Sequence, residues 1–180
     1  IGSGADYSSF TAAASDLVTS GVNGAVIFNV ISGTYTEQVE ILPVSGSSSV
    51  NTVTFQSSTG IAADVIWRYQ QTSDANNYIV LLNGADHIVF KDLTFQSVGS
   101  SYGRILVFSG AADSVRVEGN TFTGSETNSS NTNYAFIYGS SSYGSARIIK
   151  DNTFINGSYG IYLISGDHRT GLEITGNSFT

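Results

Sequence analysis

The sequence predicts an all-β protein: a right-handed parallel β-helix solenoid with an N-terminal amphipathic capping helix. Two interleaved repeats of nearly the same varying period, and the lack of helical patterning beyond residue 22, are the main grounds. Composition is the third. Of 180 residues, 41% are apolar and only 12% charged, with 20 glycines and 1 proline. A chain so poor in charge and proline must turn at positive φ and keep its surface wet with Ser, Thr and Asn.

The helix comes first. "DYSSFTAAASDLVTSG" (6–21) sets Phe10, Ala13, Ala14, Leu17 and Val18 at helical spacing, with Ser8 or Ser9 to cap it and Gly21 to stop it. An open solenoid end exposes strand edges, so this helix is expected to cover the first coil. "AVIFNVI" (25–31) then reads as the first buried strand. One domain, 1–180, follows, with 1–22 as the cap and 23–180 as coils.

The coils show themselves by repetition. "HIVFKDLTF" (87–95), "SVRVEGNTF" (114–122), "ARIIKDNTF" (146–154) and "GLEITGNSF" (171–179) end on Phe95, Phe122, Phe154 and Phe179, spaced by 27, 32 and 25 residues. "NTVTFQS" (51–57) echoes them and assigns Phe55 to the same series. A second marker, Tyr78, Tyr102, Tyr134 and Tyr159, opens apolar runs at spacings of 24, 32 and 25. Each period holds short β-branched and aromatic runs between Gly, Ser, Asn and Asp, which leaves no room for a helix per repeat. The 32-residue coil contains the polar loop "TGSETNSSNTN" (123–133).

Alternation within the repeat faces Ile88, Phe90, Val115, Val117, Leu172 and Ile174 inward. Arg147 breaks that register and leaves Ile149 as the inward residue of its copy. The column two residues before each phenylalanine reads Leu93, Asn120, Asn152, Asn177, and the asparagines suit a tight left-handed bend between strands. The column four before reads Lys91, Glu118, Lys150, Thr175, an outward row of alternating charge.

Net charge is −7, with 7 Lys and Arg in total, which argues against nucleic acid as a partner. No apolar run approaches the roughly 18 residues of a helical membrane span, so no membrane insertion is expected. The chain has no cysteine, which removes disulfides and thiolate chemistry. It opens on Ile1 and closes on "NSFT", which reads as part of a longer chain or assembly.

From "GAVIFNVISGTYTEQVEI" (24–41) onward, with "NTVTFQSSTG", "NNYIVLLNGADHIVFKDLTFQS", "DNTFINGSYGIYL" and "ITGNSF", the chain resembles the pectin-lyase-like β-helix superfamily. Together these motifs resemble the β-helix regions of large secreted surface proteins of Bacteroidota-type bacteria, cargo of type IX secretion. The resemblance implies a secreted, extracellular, cell-surface location. "GTYTE" also resembles the first motif of pectin methylesterases, with Gly33, Tyr35 and Glu37 at its positions. The later Asp, Gln and Arg motifs of that family have no counterpart here.

Several residues could carry chemistry. "GSSYG" (99–103) fits a nucleophile-elbow pattern around Ser101, but such an elbow needs a helix after the serine, and a strand is expected there. Asp86 in "NGAD" and Asp113 in "GAAD" hold equivalent places in adjacent coils. Stacked, they could approach the roughly 5 Å of a retaining glycosidase pair; alternatively each accepts backbone N–H bonds in its turn. His87 and His168 follow Asp86 and Asp167, but two coils separate them and a metal needs about three converging ligands. No metal site and no cofactor are therefore expected, with a surface Ca²⁺ left open. Trp67 and Tyr69 in "DVIWRYQQ" are the glycan-binding candidates, whereas Tyr78 and Tyr159 are expected to pack within their coils.

The resulting expectation is a non-enzymatic extracellular structural or adhesive module, with self-stacking through its last coil. The rivals are a polysaccharide-active lyase or hydrolase using Asp86 and Asp113, and a glycan-binding module.

Overall fold

A computed structural model describes residues 1–127, 129–139, 144–164 and 170–180. Its single α-helix, α1 (Phe10–Ser20), precedes strands that are numbered here in chain order and stack into three parallel sheets. The first sheet holds β1 (Val26–Val30), β4 (Val53–Ser57), β7 (Ile88–Lys91), β10 (Arg116–Glu118), β13 (Ile148–Lys150) and β16 (Glu173–Thr175). The second holds β2 (Gly33–Thr36), β5 (Val65–Tyr69), β8 (Thr94–Ser97), β11 (Thr121–Thr123), β14 (Thr153–Ile155) and β17 (Ser178–Phe179). The third holds β3 (Val39–Ile41), β6 (Val80–Asn83), β9 (Leu106–Ser109), β12 (Ala135–Gly139) and β15 (Tyr159–Leu163). Each strand pairs with the strands three before and three after it, which is a parallel β-helix solenoid.

Period-two alternation turns one face of every strand into the interior. In the first sheet the inward column runs Phe28, Phe55, Phe90, Val117, Ile149. In the second it runs Tyr35, Trp67, Phe95, Phe122, Phe154, Phe179. Phe55 therefore does not belong to the Phe95 series. It stacks between Phe28 at 4.9 Å and Phe90 at 5.7 Å, one sheet away, and Trp67 takes the expected place. β4 and β8, in different sheets of successive coils, share the local pattern "TFQS", so the pattern alone cannot say which sheet a copy enters. Within the second column Phe95, Phe122, Phe154 and Phe179 follow at centroid distances of 5.2, 4.9 and 5.0 Å.

The corner between the first two sheets also differs from the sequence expectation. The left-handed residues there are Asp92 (φ 53°), Gly119 (65°), Asp151 (56°) and Gly176 (65°), each one place before the column of Leu93 and the asparagines. The alternation of Asp and Gly has a steric cause. A Cβ on Gly119 would lie 2.6 Å from Asp92 Oδ1, and one on Gly176 would lie 2.2 Å from Asp151 Oδ1. Each aspartate leans over the next coil, so the next coil carries glycine.

The asparagines thus do not make the bend; they fill its inside. Asn120 Oδ1 accepts from the Leu93 N–H at 3.0 Å, and Asn120 Nδ2 donates to Phe90 O at 2.9 Å and to Asn152 Oδ1 at 3.1 Å. Asn152 Oδ1 also accepts from Asn120 N at 2.9 Å, while its Nδ2 donates to Val117 O and to Asn177 Oδ1. Asn177 Oδ1 accepts from Asn152 N at 3.0 Å, and its Nδ2 donates to Ile149 O at 2.8 Å. Asn120 and Asn152 are each 1% exposed. Buried amides are tolerable only when their donors and acceptors are matched, and here each matches the next.

Register pairs Lys91 with Glu118, Glu118 with Lys150 and Lys150 with Thr175. Lys150 lies 3.8 Å from Glu118, but Arg116 binds the same carboxylate at 2.6 Å and Lys91 turns to Asp92. Arg147 does not flip its strand's register. Its whole side chain enters the interior, fully buried.

Helix α1 packs Phe10, Ala13, Ala14 and Leu17 inward, and Val18 stays partly exposed. Ser9 Oγ accepts from Ala12 N at 3.0 Å, and Gly21, at φ 64°, donates its N–H to Leu17 O. The Phe10 ring lies against Trp67 at 3.6 Å.

Asn152→Ala removes an amide with partners in both neighbouring coils and strands several of them. A loss of about 3 kcal/mol in urea unfolding is expected, with non-additivity against Asn120→Ala on the order of 1 kcal/mol. A loss below about 1 kcal/mol would mean that apolar packing alone fixes the corner.

Candidate functional site

The corner between the third and first sheets carries the acidic candidates. Residues one or two places before β7, β10, β13 and β16 are left-handed: His87 (φ 58°), Ser114 (54°), Ala146 (52°) and Gly171 (67°). Asp86, Asp113 and Ser145 precede the first three and so stand above one another. Asp86 Oδ1 accepts the backbone N–H of Asp113 at 2.6 Å. Asp113 Oδ1 accepts the N–H of Ser145 at 2.5 Å and its hydroxyl at 3.2 Å. Each carboxylate is tied to the backbone one coil further on, not to its own turn.

Arg147 is fixed to the same turns from the inside. Arg147 Nε donates to Ala112 O at 3.0 Å and Nη2 to Ala111 O at 2.7 Å, and its guanidinium lies 4.4 Å from the Phe108 ring centroid. Burial pushes its pKa below the usual arginine value, while Asp113 and Asp86 pull it back up. The side chain has no exposed surface. It fastens the turn carbonyls of Ala111 and Ala112 from the interior.

Trp67, expected as a sugar platform, is 0% exposed. Its Nε1 donates to Glu37 O at 3.1 Å, and Phe10 covers one face. That assignment is corrected: the indole is the join between helix and coils. Tyr69 is half-buried and packs against the core. Tyr78 and Tyr159 are also half-buried, and burial raises the pKa of the Tyr78 phenol.

The "GTYTE" residues serve the same join. The Glu37 carboxylate accepts from Phe10 N at 3.1 Å, Thr11 N at 2.9 Å and Thr11 Oγ1 at 2.7 Å. An anion at the first turn satisfies otherwise unpaired helix donors and favours the dipole. Tyr35 donates its hydroxyl to Ile31 O at 2.7 Å and sets its ring edge-on to Phe10. Ser101 precedes strand β9, without the helix an elbow needs. Asp167 and His168 lie outside the described residues. Among the described residues no three His, Cys, Asp or Glu side chains are grouped to hold a metal ion, and no helix is long and apolar enough to cross a membrane.

One feature was missed. On the outer face of the third sheet, register stacks Leu81, Val107, Tyr138 and Tyr162. The Arg104 guanidinium lies 3.7 Å from the Tyr138 centroid, and the Tyr138 and Tyr162 rings are parallel within 4° at 5.8 Å. Leu81, Val107, Arg104 and Tyr138 line, with Asp74 and Tyr78, a cavity of about 230 Å³. Arg104 is itself held by Thr132 O and Asn133 Oδ1, so the faces of this stack are largely occupied. The signal was in the alternation of β9, β12 and β15, but only register aligns them. At the last coil, the stacking face expected from the sequence, Tyr159, Ile161, Leu163, Leu172, Ile174 and Phe179 surround a hollow of about 430 Å³.

Trp67 should emit at short wavelength, resist acrylamide quenching and ignore added polysaccharide. Red-shifted emission with a saturable glycan response would place the indole at the surface. Arg147→Ala, which frees two turn carbonyls and empties its buried site, should cost about 3 kcal/mol in urea unfolding; a neutral change would contradict the anchoring role. No family model, curated protein or solved structure matches the chain.

Proposed function

We propose that the chain is a non-enzymatic extracellular structural and adhesive module of a cell surface. Its solenoid is right-handed, as parallel crossovers are in about 98% of cases, and α1 caps the first coil. The observation that supports a non-catalytic reading is the geometry of Asp86 and Asp113. Both bind backbone N–H groups of the following coil, and the nearby Arg147 is fully buried. A general acid and base must both reach one substrate atom, and this arrangement directs the groups into the scaffold. The reading needs no cofactor.

Low charge, the Ser, Thr and Asn surface and the resemblance to secreted pectin-lyase-like surface proteins support the extracellular location. Partners meet this module at its last coil. Head-to-tail stacking of copies is the less favourable version of that idea, because Phe10 and Leu17 of α1 are buried at the first coil and Ile1 bonds to Asn29 O and Ile31 N. A second copy offers no bare first coil.

The purified chain, incubated with a panel of acidic and neutral polysaccharides, should release neither reducing ends nor unsaturated products at any pH from 4 to 9 (about the range in which carboxylate and histidine acid–base pairs work). Turnover that disappears in Asp113→Asn, with the fold intact by circular dichroism, would establish the enzymatic rival instead.

A further inference from the structure

The asparagine column has a direction, and its direction selects what the last coil accepts. This step rests on the reading that partners meet the module there. In each of the three coils that carry the asparagine, Oδ1 points back toward the preceding coil: Asn120 Oδ1 to Leu93 N, Asn152 Oδ1 to Asn120 N and Nδ2, Asn177 Oδ1 to Asn152 N and Nδ2. Each Nδ2 also donates back to a strand carbonyl, Phe90, Val117 and Ile149 in turn. Forward of the last coil the pattern leaves two donors, Asn177 N–H and the second Nδ2 proton, and one acceptor, Ile174 O, without partners among the described residues.

Around this polar corner the face is apolar. Phe179 is 58% exposed and Ile174 45%, whereas Phe154 and Ile149 one coil earlier are 1% and 0%. Covering such a face buries the rings, but it strands the corner donors unless the cover supplies an acceptor. A second copy brought face to face by a two-fold axis sets Asn177 donors against Asn177 donors. It also runs its strands antiparallel to those it meets.

The geometry points to a specific occupant: a further parallel β-coil that carries a side-chain amide at the corner, two residues before its inward aromatic. Its Oδ1 accepts from Asn177 N and Nδ2, its own Nδ2 donates to Ile174 O, and its aromatic covers Phe179. This is strand addition in which main-chain bonds supply affinity and one side chain supplies specificity. An apolar residue at that position fills the space and leaves the donors unmet.

Hydrogen exchange at the Asn177 amide, read by NMR, tests this with a synthetic peptide copying residues 156–180. The peptide should slow exchange at least about tenfold. An Asn177→Asp peptide at pH 7 should also protect, because a carboxylate accepts both donors, and an Asn177→Leu peptide should not. As a second readout, the 156–180 segment is duplicated after Thr180, and the copy with Asn at its corner should melt higher than the copy with Leu. Equal protection by the Leu peptide would mean that apolar burial alone selects the partner. No protection by any peptide, with equal melting of the two duplicated chains, would remove the inference. Protection of Asn177 by protein concentration alone would make a second copy the occupant. That result would overturn the selectivity while leaving the non-enzymatic reading, which the polysaccharide assay decides, intact.

Discussion

The structure depends on the vertical match between one coil and the next. Parallel strands stack at about 4.8 Å, and a slip of one residue would send every inward phenylalanine to solvent. Apolar columns alone tolerate some sliding, because dispersion between rings is weakly directional. The buried amides do not. Asn120, Asn152 and Asn177 each bond backbone and side chain of a neighbouring coil, and a displaced coil would leave those groups unsatisfied in the core. Packing supplies most of the stabilisation, and the amides make one register the only satisfactory one.

The same demand explains the chemistry of the surface candidates. A solenoid corner exposes backbone N–H groups that no strand pairs, and a carboxylate is a strong acceptor for them. Asp86 and Asp113 occupy that role between the third and first sheets, and Glu37 does so at the start of α1. Arg147 answers the complementary need, binding turn carbonyls at Ala111 and Ala112. In a chain with few charges, these four are fixed to backbone.

Strand positions, the coil period and the helix were legible in the sequence because they rest on local alternation and local stop signals. Legibility failed wherever a residue's role is set by another coil. Phe55 has the neighbours of a second-sheet phenylalanine but lies in the first-sheet column, since assigning it requires counting strands within the coil. The asparagines suggest a left-handed bend, yet Gly119, Asp151 and Gly176 supply it, and what keeps Asn inside is the amide of the next coil. Trp67 looked exposed because its segment is polar; its cover, Phe10, lies 57 residues earlier. Arg147 broke an apolar alternation, and only the carbonyls of Ala111 and Ala112 account for its burial.

A polar column also gives the solenoid two chemically distinct ends. Leu93 begins the column as an apolar residue that makes no demand on the coil before it, and the first-turn donors of α1 are met by Glu37. From Asn120 onward each coil adds one amide that answers the last and asks for another. Growth in that direction is self-consistent at every step, and it is unfinished at every step until a coil lacks the amide or another element covers the corner. The direction follows from hydrogen-bond polarity, which ring stacking cannot supply because stacked phenylalanines look alike from either side. The aromatic columns make the coils adhere, and the asparagines tell one end of the solenoid from the other.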